Sequence, residues 1–271
     1  MTTQIDELMT FLSDSVTPFH AVEVMSKTLR QAGFEQLDQF DAVRMAAGKG
    51  YFVVHQGSSL MALRAGQNGV EAGLRLVGAH TDSPNLAVKP NPVKGRDGCI
   101  QLGVDIYGGA LLNPWFDRDL GMAGRVTVLT QDNALSTALF DTGRAVAVIP
   151  SLAIHLDREA NSQRSINPQK DVVPLVMLGE PQQFDLKAWL AQELGRVDSQ
   201  WRGARVMDYE LSLYDRQPPE QIGIDGDFIA SARLDNLLSC YAGMRALIDA
   251  DDAEWSLFVA TDHEEVGSAS T

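Results

Sequence analysis

A chain of 271 residues with 45% hydrophobic and 21% charged residues has ordinary globular composition and length for one large domain or two smaller ones. Its net charge of −14 excludes the broad basic surface that nucleic acid or an anionic membrane requires, so neither is expected as a partner. Cys99 and Cys240 are too few for a disulfide scaffold and form no CxxC pair. No apolar run approaches about 20 residues, and the N-terminus lacks a basic segment followed by an apolar one. A cytoplasmic protein with reduced thiols is expected.

The chain opens with Ile5, Leu8, Met9 and Leu12 at helical spacing. Thr17-Pro18 then reads as an N-cap followed by an N1 proline. The helix it starts carries Phe19, Val22, Met25 and Leu29 and stops at Gly33, and His20 near its start is read as structural. From Tyr51 the period changes to that of strands. Tyr51–Val54 and Leu60–Leu63 flank Gln56-Gly57-Ser58-Ser59 as a hairpin, and Leu74–Val77 is a further strand that delivers His80.

Lys89-Pro90-Asn91-Pro92 reads as a rigid segment where the chain leaves one domain for another. The next block is rich in short strands, at Ile100–Tyr107, Ala123–Thr130, Ala145–Ile149 and Arg205–Tyr214, with one helix near Leu186–Leu194. The expected organisation is a first catalytic part over 1–89, an inserted β-rich domain over 90–226 and a second catalytic part over 227–271. Asp235 to Ala250 is helical, begun by Asp235 or Asn236, with Leu237, Leu238, Tyr241, Met244, Leu247 and Ile248 inward. Trp255–Ala260 is a continuous apolar run of the kind buried on both faces of a sheet. The fold class is α/β, a mixed sheet flanked by helices and interrupted by the insertion.

Metal-type residues gather at element ends: His80 and Asp82 after one strand, Asp235 at a helix start, and Glu264-Glu265 after another strand. One histidine among several carboxylates is the donor set of a catalytic zinc site, since structural sites lean on cysteine. A glutamate beside the metal serves as general base, and the parts together specify metal-assisted hydrolysis of an amide bond. Each motif alone has an ordinary explanation, Asp235-Asn236 as a helix cap and Glu264-Glu265 as a solvated loop. There is no G-x-S-x-G and no GxGxxG, and Ala47-Gly48-Lys49-Gly50 lacks the upstream glycine of a phosphate loop.

Five stretches carry a family resemblance: Gly78-Ala79-His80-Thr81-Asp82-Ser83-Pro84, Trp115-Phe116-Asp117-Arg118-Asp119-Leu120, Ile149 to Arg158, Arg233-Leu234-Asp235-Asn236, and Asp262-His263-Glu264-Glu265-Val266-Gly267-Ser268. Through them the chain resembles the aspartyl aminopeptidase family of zinc metallopeptidases. The resemblance implies a zinc-exopeptidase-like fold and two zinc ions per subunit, and carboxylate-rich sites accept manganese or cobalt as well as zinc. It implies His80, Asp235 and Glu265 as metal ligands, with Asp235 bridging, and Glu264 and Asp82 as catalytic residues, Glu264 the base and Asp82 orienting His80. It makes His155 a substrate-site residue reaching a neighbouring subunit, the insertion an oligomerising domain and the assembly a homo-oligomer, a dodecamer. The substrates implied are peptides with acidic N-terminal residues.

The family also uses a later aspartate and a later histidine as ligands, which this chain lacks, so the C-terminal part of the catalytic domain is expected to be absent from it. Alternative readings are a general aminopeptidase, a metal-dependent deacylase on the same scaffold, or a non-catalytic oligomeric assembly protein.

Overall fold

The computed structural model describes residues 3–38 and 44–267. In chain order the elements are α1 (Gln4–Asp14), α2 (Pro18–Gln31), β1 (Glu35–Gln36), β2 (Gly50–His55), β3 (Ser59–Arg64), β4 (Leu74–His80), β5 (Asn85–Arg96) and β6 (Cys99–Tyr107). They continue with β7 (Leu120–Leu129), β8 (Leu135–Asp141), β9 (Leu175–Leu178), α3 (Leu186–Val197), β10 (Arg205–Asp215), β11 (Glu220–Ile222), β12 (Phe228–Ala230), α4 (Leu234–Asp249) and β13 (Trp255–Thr261). The chain divides into two compact units, Met1–Ser83 with Pro218–Thr271, and Pro84–Gln217.

The discontinuous unit is built on a mixed sheet in the order β1-β2-β3-β13-β4. β13 runs antiparallel to β3 and parallel to β4, pairing Thr261 with His80. The helix starts follow from their capping residues. Thr3 closes a capping box with Asp6, and Thr17 accepts the His20 N–H ahead of Pro18. Leu8, Phe11 and Leu12 of α1, Val22, Met25 and Leu29 of α2, and Leu237, Met244 and Leu247 of α4 pack in one core with Phe52, Leu60, Ala62, Phe258 and Ala260.

Those sheet residues alternate, so the three helices cover one face. On the other face Met61, Leu74 and Leu76 are exposed by 45%, 46% and 61%. The expectation that Trp255–Ala260 is buried on both faces is therefore corrected. Ser256, Phe258 and Ala260 are buried, whereas Trp255, Leu257 and Val259 are only half-buried. Gly243 lets α4 lie close to the sheet, because a Cβ there would stand 2.7 Å from the Phe258 ring and 3.1 Å from Val77.

The second unit is a six-stranded sheet, antiparallel throughout, in the order β8-β7-β10-β5-β6-β9. Helix α3 buries Leu186, Leu190 and Leu194 at the four-residue spacing of one helical face. Asp185 caps it by accepting the Lys187 and Ala188 N–H groups.

Two expectations fail here for local reasons. Lys89-Pro90-Asn91-Pro92 lies inside β5 and is no inter-domain segment; its prolines, which cannot donate, fall in a register shift between Val88 and Val93. The Tyr209 hydroxyl donates to the carbonyls of Lys89 and Pro90 there, at 2.8 and 3.0 Å. Ala145–Ile149 forms no strand. It bridges to Leu120 through Ala147 and then to Leu175 through Val148, changing partner before a ladder can extend.

Phe258 is 1% exposed at the centre of the first unit's core. Phe258→Ala is expected to cost that unit about 3–5 kcal/mol, read as a lower urea midpoint by circular dichroism.

Candidate metal centre

β4 and β13 are neighbours and parallel, so their carboxyl ends open at the same edge of the sheet, where ligands collect in open α/β folds. His80 is the last residue of β4, and Thr81 begins the exit loop by donating its N–H to the Thr261 carbonyl at 2.8 Å. The Thr81 hydroxyl donates to the Ser58 carbonyl at 2.7 Å and to that of Thr261 at 3.2 Å, which ties the hairpin between β2 and β3 to the same spot. Beyond Thr261, Asp262 is buried and His263 turns the chain with a left-handed φ of 68°. A short 3₁₀ turn, Glu264–Val266, then presents both glutamates.

Asp82 joins the two strand ends. It is 0% exposed. Its Oδ1 accepts the Glu264 N–H at 3.2 Å, and its Oδ2 accepts the Glu265 N–H at 3.1 Å. The Nδ1 atom of His80 lies 3.3 Å from Asp82 Oδ1 and 3.1 Å from the Asp82 carbonyl oxygen. Both neighbours are acceptors, so the ring proton is assigned to Nδ1 and the lone pair of the neutral imidazole to Nε2.

That Nε2 faces carboxylates. Asp235 Oδ1 stands 3.3 Å from it and Glu264 Oε2 3.8 Å. One donor atom each from His80, Glu264 and Glu265 falls within 4.8 Å of the others. Donors held about 2.0–2.1 Å from one tetrahedral zinc lie about 3.3 Å apart, so the His80–Asp235 separation matches an edge of such a site. The residues present therefore fit a zinc ion with a mixed nitrogen and oxygen donor set. The Glu265 carboxyl is raised above its usual range. Burial is the main cause, opposed by His80 and reinforced by Asp82, Asp235 and Glu264. The Asp262 carboxyl is likewise raised, chiefly by burial.

Asp235 and Asn236 are not ordinary helix caps. Both have non-helical backbone angles, joined by a cis peptide, and the helix becomes regular only from Leu237. The Asp235 side chain is 81% exposed and directed to His80, while Asn236 Oδ1 accepts the His80 N–H at 3.2 Å. Asn236, Cys240 and Ser83 carry contacts to this site that the sequence reading did not assign; adjacency to Asp235 and His80 was the available signal for Asn236 and Ser83. His155 belongs to the other compact unit and is exposed in its 150–174 connection.

Asp82→Ala would leave the part-buried Glu264 and Glu265 N–H groups without this acceptor. With metal removed by chelator, the first unit is expected to lose about 1–3 kcal/mol in all, measured by urea unfolding.

The profile of the aminopeptidase I zinc metalloproteases, family M18, matches residues 11–271. The protein named "Probable M18 family aminopeptidase 2" of Ectopseudomonas mendocina is 50% identical over 268 residues, covering 98% of this chain and 62% of its own length. The solved structure of Chaetomium thermophilum mApe1 is 29% identical with a TM-score of 0.86, covering 97% of this chain and 62% of that one. The S. cerevisiae mApe1 dodecamer is 26% identical with a TM-score of 0.79, covering 97% and 61%. The chain thus spans about three-fifths of the length of the relatives it matches. Its profile match and its shared fold place it in one family: this chain belongs to the M18 zinc metallopeptidases.

Proposed function

We propose that the protein acts as a metalloaminopeptidase, removing N-terminal residues from peptides, with acidic residues preferred. The observation that carries the reading is the meeting of His80, Asp235, Glu264 and Glu265 at the shared carboxyl edge of β4 and β13. His80, Asp235 and Glu265 would hold zinc, two ions by the resemblance, and manganese or cobalt would suit the same oxygen-rich set. When bound, zinc polarises the scissile carbonyl and makes water a better nucleophile near neutral pH.

The chain's own residues divide the remaining work. Asp82 keeps the His80 proton on Nδ1, so Nε2 would be free to hold the metal. By accepting the Glu264 and Glu265 N–H groups, it also fixes the turn from which both carboxylates project. Glu264, 61% exposed at its side chain, has room to accept a proton from water and return it to the departing amine. The acidic preference rests on the resemblance of the five motifs to aspartyl aminopeptidase.

His155 is assigned to substrate contact across a subunit boundary, and the Pro84–Gln217 unit to building a homo-oligomer. The dodecamer of the S. cerevisiae relative supports that assembly. A cytoplasmic location accords with the absence, among the described residues, of any helix long and apolar enough to cross a membrane.

Glu264→Gln is expected to retain zinc while kcat falls by about 10²–10⁴. Zinc analysis after gel filtration, with hydrolysis of Asp-, Glu- and Leu-p-nitroanilide, checks this. Unchanged kcat in Glu264→Gln would remove it as the base, and faster cleavage of Leu- than of Asp-p-nitroanilide would overturn the acidic preference. Asp235→Ala is expected to lose bound zinc altogether, and full retention would contradict its role as a ligand.

A further inference from the structure

In a strand, the N–H and C=O of one residue point to the same side, and successive residues alternate. Thr81 donates towards β13, so the main-chain groups of His80 point the other way, off the outer edge of β4. No strand among the described residues pairs there. Both groups are nevertheless satisfied, and by side chains of a single helix. Asn236 Oδ1 accepts the His80 N–H at 3.2 Å, and Cys240 Sγ donates to the His80 carbonyl at 3.1 Å. The arrangement is reciprocal. The Ser83 hydroxyl, three residues beyond His80, donates to the carbonyl of Asp235 at 2.9 Å.

We propose that Asn236, Cys240 and Ser83 are positioning residues, forming a latch that holds the His80 imidazole and the Asp235 carboxylate at metal-binding separation. The proposal rests on the reading of His80 and Asp235 as metal ligands. Its physical basis is local. β4 ends in an edge, and α4 begins with two non-helical residues, so neither segment's regular hydrogen bonding fixes the 3.3 Å between Nε2 and Oδ1. Three bonds crossing between the segments do. Cys240 is fully buried, and its thiol has the His80 carbonyl oxygen as acceptor at 3.1 Å. Asn236 suits its place because an amide oxygen accepts from the His80 N–H without adding another charge to a site already crowded with carboxylates.

The experiment is competition of the 271-residue chain with a chromogenic chelator for zinc, paired with the visible absorption of the cobalt-loaded protein. Asn236→Ala is expected to weaken zinc binding by about 10–100-fold and to alter the cobalt spectrum, while far-ultraviolet circular dichroism of the metal-free chain is unchanged. Cys240→Ala and Ser83→Ala should move affinity in the same direction. Cys240→Ser, which keeps a donor in place, should recover most of the Cys240→Ala loss, whereas Asn236→Asp, which keeps the acceptor but adds a charge, should recover only part of the Asn236→Ala loss.

Parental zinc affinity in Asn236→Ala, Cys240→Ala and Ser83→Ala would overturn the latch, as would a Cys240→Ala loss that Cys240→Ser fails to restore. His80→Ala separates the two readings. If it loses zinc while Asn236→Ala does not, only the latch falls; if His80→Ala binds zinc as the parent does, the metal centre falls and the latch with it.

Discussion

The fully buried carboxylate of Asp82 is the contact on which the rest of the site depends. Sheet pairing brings the ends of β4 and β13 together but leaves their exit loops free to diverge. Asp82, two residues past the end of β4, accepts successive main-chain N–H groups of Glu264 and Glu265 after β13, and its oxygen also faces His80 Nδ1. Burying a carboxylate is costly unless its lone pairs are used, and here three donors converge on it. The same contact sets the histidine tautomer and aims the turn carrying both glutamates. Sheet topology, tautomer and carboxylate geometry are thereby coupled through one side chain.

Around that contact, the fold divides its polar and apolar work by face and by edge. The three helices of the discontinuous unit bury their apolar stripes on one face of the sheet, and Gly243 allows α4 to press against Phe258. The same close approach brings Asn236 and Cys240 to the outer edge of β4. Packing in the core and positioning of the site therefore share one helix. A cavity made under α4 would be felt as a displaced donor atom several residues away, because densely packed interiors transmit strain.

Much of this was legible in the sequence. The helix start at Thr17 follows from short-range capping chemistry, and the apolar stripes of α1, α2 and α4 from their periodicity. The strand at Trp255–Thr261 was visible as an apolar run, but its half-open face was not, since Leu257 and Val259 are apolar and yet only partly covered. β5 was hidden by Pro90 and Pro92, which mark a break in most contexts and here sit in a bulge. Ala145–Ile149 has strand composition but divides its bonds between two partners. Within the site, residue types and order pointed to His80, Asp235, Glu264 and Glu265. The bonds from Asp82 to residues more than 180 positions away, and from Asn236 and Cys240 back to His80, depend on tertiary approach and leave no local signal.

X-ray absorption spectroscopy at the zinc edge, on the zinc-loaded 271-residue chain and on His80→Ala, most directly tests whether the ends of β4 and β13 and the start of α4 make one metal centre. A first shell of oxygen and nitrogen only, with an imidazole signature that disappears in His80→Ala, is the predicted result. A sulfur ligand, or an imidazole signature that survives in His80→Ala, would contradict it.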